Sequence, residues 1–139
     1  ISTIFAPPPV DLKAEKQNGD FLLQLIAEQL ITAAHDISDG GLAVAIAEMS
    51  MYTCLGADIE PPDTGNLHGW AFGEDQARFV VSTNNGNALN IAAKKANIKA
   101  TKIGNVSATA ELQFGAGDTI SNGELKALSE DCLPNLMAR

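Results

Sequence analysis

The chain has 139 residues, of which 45% are hydrophobic and 19% charged, with a net charge of −8. That balance suits a globular domain large enough to bury a core, and it excludes wholesale disorder. Excess negative charge repels phosphate-rich polymers, the Lys and Arg residues read as scattered, and no apolar run approaches the ~18–20 residues of a membrane-crossing helix; neither nucleic acid nor membrane is an expected partner.

The first stretch, "ISTIFAPPPVDL", carries three consecutive prolines and predicts an extended lead-in over residues 1–17, followed by one domain over 18–139. Opening on Ile1, the chain is expected to be part of a longer polypeptide. Asn18-Gly19-Asp20 offers capping chemistry before "FLLQLIAEQL", where Leu22, Leu25, Ile26 and Leu30 share one helical face. "ITAAHDI" (31–37) suits a buried strand ended by Asp39-Gly40-Gly41. A second helix follows from Leu42 to about Thr53, with Leu42, Ala45, Ile46 and Met49 as its stripe.

"LGADIE" (55–60) reads as a strand closed by Pro61-Pro62. Residues 61–73 are compatible with a loop or a short helix. "ARFVVST" (77–83) is a strand stopped by Asn84-Asn85-Gly86. "NALNIAAKKANI" predicts a third helix turning Leu89, Ala92, Ala93 and Ala96 toward the sheet. "KATKIGNVSA" and "AELQFG" predict two strands forming a hairpin, Gly115 to Asp118 a turn, and Ser121 with Glu124 a capping box that opens a last helix toward Pro134. Together these elements predict an α/β (α+β) sandwich, a mixed β-sheet covered by helices. Cys54 and Cys132 lack C-x-x-C or zinc spacing, and no export leader is evident. Both are expected to be reduced, mostly buried thiols of a cytoplasmic protein.

Two stretches carry unusual chemistry. In "HDISDGG", strand alternation sets His35 and Ile37 on one face and Asp36 on the other. Gly40 and Gly41 let the backbone turn sharply and let a ligand approach the helix N-terminus. One reading is a phosphate site, or Mg²⁺ held by Asp36 and Asp39. The other is that Asp39 caps the helix, the glycines supply the dihedrals and His35 is a satisfied polar group; caps outnumber ligand sites at such corners. In "FGEDQARF", Glu74, Asp75, Gln76 and Arg78 lead into an apolar strand. Arg78 calls for a carboxylate, with Asp36, Asp39 and Glu74 as candidates, in a rim meeting a substrate or domain or in an edge-strand ion pair. Glu48 reads as solvated and Trp70 as a packing anchor. P-loop, G-x-S-x-G and H-E-x-x-H patterns are absent, so the residues by themselves name no reaction.

Three stretches taken together, "APPPVDL" (6–12), "AAHDISDGGLAVAIAEM" (33–49) and "FGEDQARFVVST" (72–83), closely resemble in order and spacing the C-terminal domain of phosphoribosylformylglycinamidine synthases, in their synthetase component (subunit II). Aminoimidazole ribonucleotide synthetase, selenophosphate synthetase and thiamine monophosphate kinase belong to the same superfamily. The resemblance implies the fold of the aminoimidazole ribonucleotide synthetase C-terminal domain. It also implies a purine-biosynthetic ligase that uses ATP and Mg²⁺ to activate the formamide oxygen of formylglycinamide ribonucleotide, and ammonia from a glutaminase partner to form the amidine.

Family chains carry two N-domain/C-domain pairs, and the N-type domains bring the ATP-binding segments and the catalytic histidine. This chain resembles the second C-type domain. In the first, the segment aligned with Gly73–Arg78 resembles a Glu-Ser-Gln substrate motif, where this chain has Glu74-Asp75-Gln76. The resemblance therefore transfers no catalytic residue and no metal ligand. It leaves His35, Asp36, Asp39, Gly40, Gly41, Glu74, Gln76 and Arg78 as cleft-lining residues. ATP and Mg²⁺ are expected in the full enzyme and not on this chain alone, which is expected to lack turnover. The implied partners are N-type domains of the same parent chain and the glutaminase; an apolar patch left on the sheet or second helix is expected to drive self-association. The rival readings are a C-domain of the selenophosphate synthetase or thiamine monophosphate kinase type, and a stand-alone module binding a nucleotide or Mg²⁺.

Overall fold

The computed structural model describes residues 10–63, 65–117 and 119–138, with backbone only at 132 and 133. The proline run, Asp118 and the Cys132 side chain lie outside the described residues. In chain order the elements are α1 (Leu12–Ala27), β1 (Ala33–Asp36), α2 (Gly41–Thr53), β2 (Gly56–Ile59), α3 (Leu67–Phe72), β3 (Phe79–Ser82), α4 (Gly86–Ala96), β4 (Gly104–Ser107), β5 (Glu111–Phe114), β6 (Thr119–Ser121), α5 (Asn122–Glu130) and α6 (Cys132–Met137). They fall into two units: described residues up to Ala45 with His68–Lys102, and Ile46–Leu67 with the described residues from Ile103 onward.

In the first unit, Asp11 is the cap of α1. Its carboxylate accepts from the N–H groups of Lys13 and Ala14, both at 3.0 Å. The helix therefore starts before Asn18-Gly19-Asp20, which lie inside it; an acceptor directly ahead of Leu12 satisfies the first free N–H groups. β1 and β3 pair antiparallel, with Ala33 opposite Ser82 and Asp36 opposite Phe79. Phe21 and Leu25 of α1 meet Leu89 and Ala93 of α4, and Leu30, Ile31, Val81, Ala92 and Ile98 pack around them. Each large apolar side chain so buried contributes about 1.5–3 kcal/mol.

Asn85 caps α4 through the Ala88 N–H, while Asn97, at φ 55°, closes the same helix. Leu89 and Ala93 are buried as their spacing predicts, whereas Ala96 is exposed. The segment left open as loop or helix contains α3, where the rings of His68 and Phe72 sit 5.2 Å apart. The lysines are not evenly scattered: Lys94, Lys95, Lys99 and Lys102 form an exposed basic run in and after α4.

The second unit holds a four-stranded mixed sheet in the order β4-β2-β5-β6. β2 pairs antiparallel with β4 and parallel with β5. The hairpin expected between β4 and β5 is therefore not formed, because β2, buried at Gly56, Ala57 and Ile59, inserts between them. The hairpin is instead β5–β6, around the turn at Gly115–Gly117, and β6 is a three-residue strand that local patterning does not reveal. Leu112 of β5 is the most enclosed large side chain, 2% exposed.

Beside the sheet lies a buried polar knot. The Ser50 hydroxyl faces the Asn122 Oδ1 at 2.6 Å and the Leu55 carbonyl, and the Asn122 amide donates to the carbonyls of Ser50 (3.1 Å) and Leu55 (3.2 Å). It ties the end of α2 to the start of α5, giving the Leu55 carbonyl its donors and the Ser50 carbonyl a second one beside the Cys54 N–H. Cys54, expected to be buried, is exposed. It takes the left-handed position (φ 57°) that terminates α2, with its N–H returned to the Ser50 carbonyl. The capping box of α5 forms as predicted: the Ser121 hydroxyl, and secondarily its N–H, donate to Glu124 and hold that carboxyl below its usual 4.5. Among the described residues, no helix is long and apolar enough to cross a membrane.

Candidate functional site: the corner between β1 and α2

β1 ends at Asp36, and Ile37, buried, prolongs its pairing by donating its N–H to the Arg78 carbonyl at 3.0 Å. The chain then turns: the Gly41 N–H reaches back to the Ser38 carbonyl at 3.0 Å, and Gly40 and Gly41 take φ values of 79° and 73°. A Cβ on Gly41 would stand 2.6 Å from the Phe72 carbonyl carbon and 2.7 Å from its Cα. Only glycine lets this corner lie directly against the backbone of α3.

Facing the turn is the loop of residues 73–78. Glu74 Oε1 accepts from the Gly40 N–H at 2.9 Å, so the two motif segments meet through a charged hydrogen bond. Arg78 donates to Asp75 at 3.0 Å, not to Asp36, Asp39 or Glu74. The intervening Ala77, at φ 62°, folds the loop so that a carboxylate three residues back is already in reach; such a local pair orders less chain than a distant one. The Ala77 carbonyl is itself held by the Asn18 amide at 2.7 Å. His35 Nδ1 lies 2.7 Å from the Asp36 carbonyl oxygen and 3.4 Å from its carboxylate. His35 and Arg78 are half-buried; Asp36, Asp39, Glu74 and Gln76 are exposed.

The corner thus brings His35, Asp36, Gly40, Gly41, Glu74 and Arg78 onto two adjoining segments, with Asp39 and Gln76 on the same two turns. Its charge is predominantly acidic, and the Gly40 N–H that would greet a phosphate already holds a carboxylate. Among the described residues, no group of three or more His, Cys, Asp or Glu side chains is gathered closely enough to hold a metal ion. Sequence reasoning did not pair Asp75 with Arg78, although their i, i+3 spacing is a readable signal, nor Asn18 with Ala77, whose long-range bond leaves none.

Residues 3–116 match the family described as AIR synthase related protein, C-terminal domain. Phosphoribosylformylglycinamidine synthase subunit PurL of Methylocella silvestris is 47% identical over 135 residues, covering 96% of this chain and 18% of that protein. The solved structure of T. maritima PurL complexed with FGAR superposes with a TM-score of 0.72 at 21% identity, over 84% of this chain and 21% of that one. The structure of PurLQS from Thermotoga maritima superposes with a TM-score of 0.75 at 21% identity, over 88% and 23%. At that identity the structural likeness speaks for the fold alone, and the chain spans less than a fifth of the length of the curated relative. On the match over residues 3–116, the chain belongs to the family of AIR synthase related proteins, C-terminal domain.

Proposed function

We propose that this chain serves as a C-terminal-type domain of a phosphoribosylformylglycinamidine synthase. The whole enzyme would be a cytoplasmic ATP-dependent ligase of purine biosynthesis that converts formylglycinamide ribonucleotide and glutamine-derived ammonia to the amidine. In this reading His35, Asp36, Asp39, Gly40, Gly41, Glu74, Gln76 and Arg78 form one wall of a cleft completed by N-type domains, while a glutaminase supplies the ammonia. None of them is assigned a catalytic role. Transfer of a phosphoryl group needs metal or cationic contacts on several sides of the phosphate, which an acidic corner with one arginine does not provide. ATP and Mg²⁺ would accordingly be held by the assembled enzyme.

The observation that supports this reading most is the Glu74–Gly40 bond, which joins the two motif segments into one corner, in a chain 47% identical to a PurL subunit. The test is a chimera in which this chain replaces the matching segment of the Methylocella silvestris PurL subunit, assayed for amidine formation with ATP, Mg²⁺ and ammonium. Turnover near that of the parent supports the reading. A folded chimera that binds substrate and ATP but is inert refutes it.

A further inference from the structure

An open groove of about 460 Å³ lies between α1 and α4. Gln24 and Glu28 form one wall, Lys95 stands on the other, and Leu30, Ile91 and Ala92 line it between them. The groove continues past Asp20 toward Ile98, so early residues of α1 face the end of α4 and the two helices run in opposite directions. Glu28 is held in place by the Gln24 amide at 2.8 Å. Ile91 is 56% exposed, an apolar side chain left uncovered inside a charged frame.

We propose that this groove is the docking face for a second copy of the chain, two copies related by a two-fold axis so that Glu28 of each meets Lys95 of the other. The charge pattern selects this occupant. An acidic partner would answer Lys95 but press against Glu28, and a basic partner would do the reverse. A self-complementary contact answers both charges, twice, in one closed interface. The net charge of −8 opposes indiscriminate self-association. Of the basic run from Lys94 to Lys102, Lys95 lines the groove itself, across from Glu28.

Sedimentation of the 139-residue chain over a range of concentrations tests the proposal. A concentration-dependent dimer, weakened by salt, is expected. Glu28→Lys and Lys95→Glu each turn two attractive pairs into like-charge contacts and should weaken the dimer about tenfold or more, while the double reversal restores it. Both side chains are exposed, so the variants should keep the wild-type circular dichroism spectrum; Ile91→Glu is a second probe that leaves the pair intact and should also dissociate the dimer. A chain that stays monomeric at millimolar concentration overturns the proposal. So does a dimer indifferent to the single reversals, or one that the double reversal fails to recover.

Discussion

Glu74 sets its carboxylate oxygen 2.9 Å from the backbone nitrogen of Gly40, 34 residues upstream, and so fills with the chain's own anion a donor that opens toward the entrance of α2. The bond fastens the loop of residues 73–78 to the corner that follows β1. Glu74→Ala should lower stability by about 1 kcal/mol, and Glu74→Gln, which keeps an acceptor at that place, by less than half of that. Urea denaturation gives the ranking, and faster hydrogen exchange at the Gly40 amide in the alanine variant shows that the loss is local.

The two glycines Gly41 and Gly19 should respond to alanine in opposite directions. At Gly41 the left-handed backbone and the adjoining Phe72 main chain leave no room for a methyl group, so Gly41→Ala should cost about 3 kcal/mol or more. Gly19 lies inside α1 with open space around it, and Gly19→Ala should gain about 0.5–1 kcal/mol. Equal effects at the two sites would contradict the backbone geometry described for the corner.

Asn122 is 7% exposed and supplies two N–H groups to carbonyls at the end of α2. Asn122→Ala should cost about 1–2 kcal/mol, because the network loses both amide donors and the Oδ1 partner of the Ser50 hydroxyl, while the Ser50 carbonyl keeps the Cys54 N–H and the Leu55 carbonyl keeps the Ser50 hydroxyl. Since Ser50 and Asn122 share one network, a double-mutant cycle with Ser50→Ala should be non-additive.

The Glu124 carboxyl is held below its usual 4.5 by the Ser121 hydroxyl and N–H. Its folded value lies below its unfolded one, so the stabilisation from this bond is complete above about pH 4.5 and fades as the pH drops through the folded value. Ser121→Ala should remove most of that acid sensitivity and cost about 1 kcal/mol at neutral pH through the lost cap. A carbon-detected titration of Glu124 in both proteins checks the direction.

What could be read in advance were features that a few neighbouring residues decide. The Asp39-Gly40-Gly41 turn, the Ser121–Glu124 box and the buried pair Leu89 and Ala93 each follow from spacing within one or two turns of chain. The cap at Asp11 went unread, with the helix expected to begin only after Asn18-Gly19-Asp20. The order of the second sheet was not legible. Val106 and Leu112 look like neighbours across a short turn, yet each pairs with Ala57, about fifty residues earlier, and no local pattern encodes a partner so far away. Of the corner, the residue types and the turn were evident, while the Glu74–Gly40 bond and the Asp75–Arg78 pair needed the fold to bring their loop into place. Apolar surface was expected on the sheet or the second helix; the exposed Leu12, Leu23 and Ile26 lie on α1, outside that expectation.

The chain passes between its two units after Ala45, after Leu67 and after Lys102. Neither unit can be cut out as one continuous peptide. On the ribosome, β2 emerges complete at Ile59, but its parallel neighbour begins only at Glu111; at about 5–20 residues per second that is a delay of about 3–10 s. For most of that interval, until its antiparallel neighbour β4 begins at Gly104, a strand buried on completion waits unpaired, so slowing translation before Gly104 should raise the share of nascent chains captured by a chaperone.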